Sequence, residues 1–342
     1  MPSLRRRGSV SSMTKTFKRS AMMIGTIFLL LVMVMTLAIV FGGPRLLPEQ
    51  PAANDPYGAL DRSDLPLLQK AHARDGAPLA YRHYPPEVTH DRHMSVVLIH
   101  GSASQGESMH VLAKGLASTG YEVYVPDVRG HGASGTKKGS VAYIGQLEDD
   151  LEDFVRDAHI AAPRAMIGFS AGGGFTLRQA ADSRAALFEH YVLLAPFLGP
   201  DASTYRPNSG GWVSVGLPRV LGLVFLNRIG ITAFNNLPVI RFALRADLKD
   251  MLTPEYSYSL WVNFRPHRNY RADLSNSASS MAVVLGAFDE QFYPERFAAE
   301  LAEAGRASVP ITIVPGVGHV SLTIQPTGVQ AVVDSLTALS KP

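Results

Sequence analysis

The chain has 342 residues, 46% of them apolar and 18% charged, a composition that suits a packed globular body and excludes a disordered chain. It contains no cysteine, which excludes disulfides, thiolate metal sites and a cysteine nucleophile. The net charge of +3 is unevenly held: residues 1–50 carry seven Lys/Arg against Glu49 alone, and the remainder carries 25 against 28 Asp/Glu, so the body is mildly acidic and no nucleic-acid partner is expected.

No charged residue lies between Arg19 and Arg45, and residues 21–41 (AMMIGTIFLLLVMVMTLAIVF) match the roughly 20 apolar residues that a membrane-spanning helix needs. A cleaved signal peptide has a shorter apolar stretch, about 7–15 residues, and only Pro51-Ala52-Ala53 offers a small-residue cleavage site. Residues 21–43 therefore read as an uncleaved transmembrane signal anchor. Residues 1–20, with Arg5, Arg6, Arg7, Lys15, Lys18 and Arg19, form a basic flank that stays cytoplasmic. The single-pass body then lies on the opposite side, the periplasm in a Gram-negative source. Residues 44–70, rich in proline and short polar residues, read as a tether.

Strands and helices then alternate. PLAYRHYP (78–85), after Asp75-Gly76, reads as the second arm of a hairpin. SVVLIH (95–100) is a strand covered on both faces. A helix over 111–120 leads to the strand YEVYVP (121–126). Leu147, Leu151, Phe154 and Ala158 give 144–159 one apolar helical face. A strand ending at Phe169, a helix over 172–181 and the strand YVLLAP (191–196) follow. After residues 200–275, the strands MAVVLGA (281–287) and ITIVPG (311–316) flank a helix at 294–305, and PTGVQAVVDSLTAL closes the chain as another helix. Such alternation predicts an α/β fold, a mostly parallel sheet flanked by helices, with a core over 71–199 and 276–342. Residues 200–275 break the rhythm and read as an inserted helical cap over the sheet edge, since Arg219, Arg228 and Arg241 interrupt any second membrane span.

Chemistry centres on Gly168-Phe169-Ser170-Ala171-Gly172. A serine hydroxyl is a poor nucleophile until an imidazole takes its proton and a carboxylate fixes that imidazole. A strand, a sharp G-x-S-x-G turn and a helix are the context in which Ser170 becomes such a nucleophile, with partners following in the order acid, then histidine. Of the histidines beyond it, His190 precedes a strand and His267 sits in the cap region. His319 lies in a loop beyond a strand, where it can reach back over the sheet. Asp289 follows the strand 281–287 and is the expected acid; Asp201 is the alternative, and Glu290 reads as a solvated neighbour. The oxyanion donors are expected to be the backbone N–H groups of Ala171 and of Ser102, with Ala103 as the alternative to the latter. His100 is expected to brace its loop. His100, His110 and His131 lack the spacing and carboxylates of zinc hydrolases, so neither metal nor cofactor is expected.

LIHGSAS, YEVYVPDVRGHGASG (121–135), IGFSAGGG, VLLAPF, GAFDE and GVGHV together resemble the α/β-hydrolase family, and within it the monoglyceride lipase and lysophospholipase-like (serine aminopeptidase-type) branch. The resemblance spans roughly 75–340 and implies the α/β-hydrolase fold, with the cap inserted after the strand that follows the nucleophile helix. It also implies that Asp127, Arg129 and His131 brace a loop beside the site. The N-terminal anchor departs from the usual soluble pattern.

The expected activity is that of a membrane-anchored serine esterase acting through an acyl-enzyme. The serine at the elbow argues against epoxide hydrolysis and dehalogenation, which the same fold performs with an aspartate there. Apolar cap residues (Trp212, Leu217, Leu221, Leu223, Val224, Phe225, Phe234) either favour a lipophilic acyl ester, such as a monoacylglycerol or lysophospholipid, or merely pack the cap on the sheet. A peptidase, amidase or acyltransferase would use the same three side chains, and a tethered binding protein without activity is the reading outside enzymes.

Overall fold

The computed structural model describes residues 7–49, 61–87, 92–206, 211–248, 251–278 and 280–341. Arg5 and Arg6 of the basic flank and residues 50–60 of the expected tether lie outside the described residues. Helix α1 (Arg7–Phe41) begins within the basic flank, and its stretch Arg19–Phe41 is long and apolar enough to cross a bilayer, exposed along most of its length and partly covered near its end, at Met35, Ala38 and Ile39.

Eight strands form the central sheet: β1 (Gln69–His72), β2 (Pro78–Tyr84), β3 (Ser95–Ile99), β4 (Glu122–Pro126), β5 (Arg164–Phe169), β6 (His190–Leu194), β10 (Met281–Gly286) and β11 (Ile311–Val314), in the spatial order β1-β2-β4-β3-β5-β6-β10-β11. β1 and β2 form the expected hairpin, β2 runs antiparallel to β4, and every later pair is parallel. β3 and β10 are buried along their whole length, which explains why they read as uninterrupted apolar runs instead of alternating ones.

Helices α2 (His110–Ser118) and α9 (Pro326–Leu339) pack on each other and on β4, β6, β10 and β11. Helix α4 (Ala171–Ala180) covers β3, β5 and β6, and α3 (Gln146–Asp157) covers β1. Burying both faces of the sheet in this way supplies the main stabilisation, at roughly 25 cal/mol per Å² of apolar surface.

The insertion between β6 and β10 differs from the purely helical cap expected. It holds an antiparallel three-stranded sheet, β7 (Val213–Val215), β8 (Pro238–Phe242) and β9 (Glu255–Ser257), with helices α5 (Leu217–Arg228) and α6 (Tyr258–Asn263). β7 and β9 have three residues each, too few for an alternating pattern to stand out from the sequence. Helix α7 (Tyr270–Asn276) packs on α4 and on α8 (Phe297–Glu303), so it lies with the helices of the core.

The end of α1 is fixed to this cap. Arg219 of α5 donates from Nε to Ile39 O at 2.7 Å, from Nη2 to Val40 O at 2.9 Å and from Nη1 to Pro238 O at 2.7 Å. Two of these acceptors are carbonyls that the last helical turn leaves unsatisfied, where a cation is also favoured by the helix dipole. Below that contact the Arg45 N–H donates to Ser214 Oγ at 2.9 Å.

Candidate active site

Ser170 stands between β5 and α4 with φ +55 and ψ −117, a left-handed strain that a side chain adopts only when its surroundings impose it. Two glycines permit the turn. A Cβ on Gly168 would collide with the Gly172 carbonyl and Thr176 Oγ1, and one on Gly172 with the His100 carbonyl. The Ser170 carbonyl accepts from Gly174 N–H at 3.0 Å and Phe197 N–H at 3.0 Å, which clamps the turn to the start of α4 and the end of β6.

His319 comes from the loop after β11 and Asp289 from the loop after β10. Its Nε2 lies 3.0 Å from Ser170 Oγ and its Nδ1 2.8 Å from Asp289 Oδ2. Both side chains are buried. Asp289 Oδ1 accepts the N–H groups of Gln291 and Phe292, each at 2.8 Å, so the carboxylate is saturated and can turn only its other oxygen to the imidazole. The ring is held between Phe169 and Phe292, with centroids at 4.7 and 5.2 Å. A carboxylate at Nδ1 keeps the proton there and leaves Nε2 to accept from the hydroxyl.

The other sequence candidates go elsewhere. His190 Nδ1 pairs with Ser280 Oγ at 2.6 Å, at the opposite end of β6, and His267 pairs with Asp273 at 2.9 Å. Asp201 is exposed in the turn after β6, and His319 turns to Asp289. Glu290 requires a correction. It is exposed, yet it is more than a solvated neighbour, because its Oε2 accepts the backbone N–H of His319 at 2.9 Å. Two adjacent acids thus fix one histidine, one through the ring and one through the main chain.

The loop after β3 passes directly over the serine: a Cβ on Gly101 would sit 3.4 Å from Ser170 Cβ. Ala171 N–H precedes the first bond of α4, which runs from Gly174 to Ser170, and so has no partner within the helix. Among the described residues Ser102 N–H likewise has no acceptor, whereas Ala103 N–H, at φ +60, donates to Tyr256 Oη at 2.7 Å. Of the two alternatives in this loop, Ser102 is the one with a donor to spare.

His100 donates from Nδ1 to Gly101 O at 2.8 Å and accepts Val128 N–H on Nε2 at 3.1 Å. Both nitrogens are therefore occupied in the neutral form, and burial holds its pKa below the ordinary value. His131, also buried, bonds Val128 O at 3.1 Å and Tyr256 Oη at 2.6 Å, and burial with His100 alongside lowers its pKa further. Asp127 accepts Gly106 N–H at 2.7 Å and Ala133 N–H at 2.9 Å; Arg129 closes on Asp75 and Asp150 at 3.0 and 2.6 Å. His110 faces Tyr84 and Asp64 instead, at 2.9 Å each.

Above the serine opens a cavity of about 550 Å³, lined mostly by apolar side chains, among them Phe169, Phe197, Trp212, Leu217, Phe242 and Phe264. Both readings of the cap's apolar residues hold in part. Trp212 and Leu217 line the cavity, Leu223 is fully buried in packing, and Leu221, Phe225 and Phe234 are exposed. Sequence reasoning missed Tyr256, Trp261 and Arg265, which also line it; they lie in the cap at long sequence distance, with no motif to mark them.

Comparison with known proteins agrees with this fold. Residues 90–247 match the serine aminopeptidase (S33) family. A monoacylglycerol lipase of Mycolicibacterium smegmatis is 35% identical over 105 residues, 29% of this chain and 36% of that protein. The magnesium-chelatase 30 kDa subunit of Rhodobacter capsulatus is 34% identical over 88 residues, 26% of this chain and 30% of that protein. The chain thus spans about a third of the length of the curated relatives it matches. A soluble variant of the Saccharomyces cerevisiae monoglyceride lipase superposes with a TM-score of 0.59 at 20% identity, covering 82% of this chain and 96% of that one. The Paleococcus ferrophilus monoacylglycerol lipase gives 0.57 at 19%, covering 77% and 99%. At such identities the solved structures show the fold alone.

Proposed function

We propose that this chain, which has the α/β-hydrolase fold and its likeness in the monoglyceride lipase-like branch, is a membrane-anchored serine hydrolase of lipophilic carboxylic esters. The observation that carries the reading is the run of short contacts from Asp289 through His319 to Ser170, 2.8 and 3.0 Å, on the floor of an apolar cavity.

In this reading His319 Nε2 takes the Ser170 proton as Oγ attacks the ester carbonyl. The Ala171 and Ser102 N–H groups receive the developing oxyanion. His319 then protonates the leaving alkoxide, the acyl group stays on Ser170, and water activated by the same nitrogen releases it. Asp289 holds the ring and stabilises its protonated form. The apolar lining suits an acyl chain of a monoacylglycerol or lysophospholipid type, and the anchoring of α1 on the cap would bring the cavity close to the bilayer that supplies such chains. With the basic flank cytoplasmic, the hydrolase body faces the other side.

An aminopeptidase, which the matching family's description suggests, must also hold a free α-ammonium. Among the described residues, the one carboxylate lining the cavity is Glu290, already engaged at the His319 main chain, which favours the ester. A fluorophosphonate probe on the full chain in detergent tests the proposal. Labelling lost in Ser170→Ala, with turnover of long-chain p-nitrophenyl esters far above that of peptide anilides, supports it. Absence of labelling in the intact protein overturns it, and faster cleavage of anilides replaces ester by amide.

A further inference from the structure

Arg265 stands in the cavity wall two residues beyond α6. Its guanidinium lies over the Trp261 ring, 3.7 Å from the centroid, and its Nε is buried with no hydrogen-bond partner. Among the described residues it makes no ion pair and no hydrogen bond. Every comparable arginine is satisfied: Arg129 by Asp75 and Asp150, Arg178 by Glu148 and the Val262 carbonyl, Arg206 by the carbonyls of Asp289 and Phe292. Arg265 is the exception, and it is the one that faces the cavity.

Arg265 is half-buried, and a cation that is partly withdrawn from water without a counter-charge is costly, because it loses part of its hydration and receives no partner in return. Burial lowers its pKa to about 10, still well above neutrality, so the group remains charged. Asp201, Arg178, Arg268 and Tyr258 are the ionisable groups close enough to act on it electrostatically, and none bonds to it. Stacking on Trp261 uses the face of the guanidinium and leaves its N–H edge for an in-plane acceptor. A planar cation presented edge-on matches a carboxylate or a phosphate.

We propose that Arg265 receives an oxyanion carried by the substrate, so that the preferred ester is an anionic amphiphile, an apolar chain bearing a carboxylate or phosphate, and not a neutral acylglycerol. This inference rests on the reading of the cavity as an ester site and narrows its substrate class. The carboxylate could belong to the acyl part or the phosphate to the alcohol part; the chemistry at Arg265 is the same.

Two matched pairs separate these sources in the full chain: p-nitrophenyl hexanoate against p-nitrophenyl hydrogen adipate, and a 1-acylglycerol against its 3-phosphate. The expected result is a wild-type kcat/KM that favours the anionic member of one pair. Arg265→Gln should lower that anionic-to-neutral ratio about ten-fold or more, chiefly through KM, as losing a charge-assisted hydrogen bond implies. Arg265→Lys should lower it less. The pair whose ratio collapses identifies the source. Equal ratios in wild type, Arg265→Lys and Arg265→Gln for both pairs overturn the proposal.

Direct binding keeps the inference testable should the chain hydrolyse no ester or Arg265→Gln fail to fold. In the Ser170→Ala full chain, decyl phosphate should bind about ten-fold or more tightly than decanol. Equal affinity overturns the role of Arg265 whatever the fate of the catalytic reading, and a decyl phosphate preference without ester turnover overturns the catalytic reading alone.

Discussion

The Tyr256 hydroxyl links the cap to the loop beside Ser170: it accepts Ala103 N–H at 2.7 Å and donates to His131 Nε2 at 2.6 Å. Ala103 needs that support, because its φ of +60 is unfavourable for any residue with a Cβ. Ser102, the neighbour proposed as an oxyanion donor, lies in the same turn. Tyr256→Phe keeps the ring and deletes only the hydroxyl, leaving a buried donor and a buried acceptor without partners. A stability loss of about 1–3 kcal/mol is expected, together with a kcat reduced roughly ten-fold and a KM moved much less, since the oxyanion forms only in the transition state. A variant that melts lower but keeps wild-type kcat would reduce Tyr256 to a packing residue.

Asp289 is predicted to matter through the tautomer it imposes. Asp289→Asn preserves shape but can present an N–H to Nδ1, which would place the ring proton on Nε2 and face it toward Ser170. A fall in kcat of about 10³–10⁴ is expected. Because Asp289 acts through His319, Asp289→Asn added to His319→Ala should cost little beyond His319→Ala alone. Multiplying losses in the double variant would mean that the aspartate works on the substrate by a separate route.

The serine turn was legible because its constraints are local. Gly168 and Gly172 flank a residue at φ +55, and no other residue type fits against the Gly172 and His100 carbonyls. The same holds for β3 and β10, whose burial on both faces writes itself as an apolar run. What the sequence hides is the consequence of chain crossings. Asp289 and Glu290 are one residue apart, and only the turn after β10 decides that one meets the His319 ring and the other its N–H. Tyr256 reaches residues 125 and 153 positions away, and half-buried Arg265 becomes conspicuous only when the arginines around it are seen to have partners. The sheet in the cap escaped for the same reason, since three-residue strands gain their identity from pairing.

His100 and His131 give the fold a pH limit above that of its carboxylates. Both are buried, with pKa values held below 6.5, chiefly by desolvation. A folded-state pKa below the unfolded one means that the unfolded chain binds more protons as pH drops, so their contribution is complete above 6.5 and is lost as pH falls below it. Each histidine can add up to about 1.4 kcal/mol per pH unit to the slope. Denaturant titrations from pH 7.5 to 5 should therefore show unfolding free energy declining from about pH 6.5. Paired carboxylates such as Asp153 and Glu300, whose pKa values are lowered from 3.8 and 4.5, lose their share only in more acidic solution. A flat profile down to pH 5 would refute the buried neutral pair.

Arg219 is the joint between α1 and the cap, and if α1 anchors the chain as proposed, its removal should separate membrane-dependent from soluble turnover. Three charge-assisted bonds tie α5 to Ile39, Val40 and Pro238, and Gly222 lies so close to Ile39 that a Cβ there would come within 2.6 Å of Ile39 Cγ1. The helix so held contributes Leu217 and Val220 to the cavity wall and exposes Leu221 and Phe225. An anchor that fixes the cap's orientation should place that apolar face at the lipid boundary, where it can take up substrate without exposing the acyl chain to water. Arg219→Ala strands the α1 carbonyls and frees the joint, with an expected loss of about 1–3 kcal/mol at the contact. Hydrolysis of a long-chain monoacylglycerol embedded in vesicles should fall several-fold relative to hydrolysis of a short water-soluble p-nitrophenyl ester by the same preparation. Equal effects on the two substrates would mean that the anchor only tethers the enzyme and that the orientation of the cap is immaterial to how the acyl chain arrives.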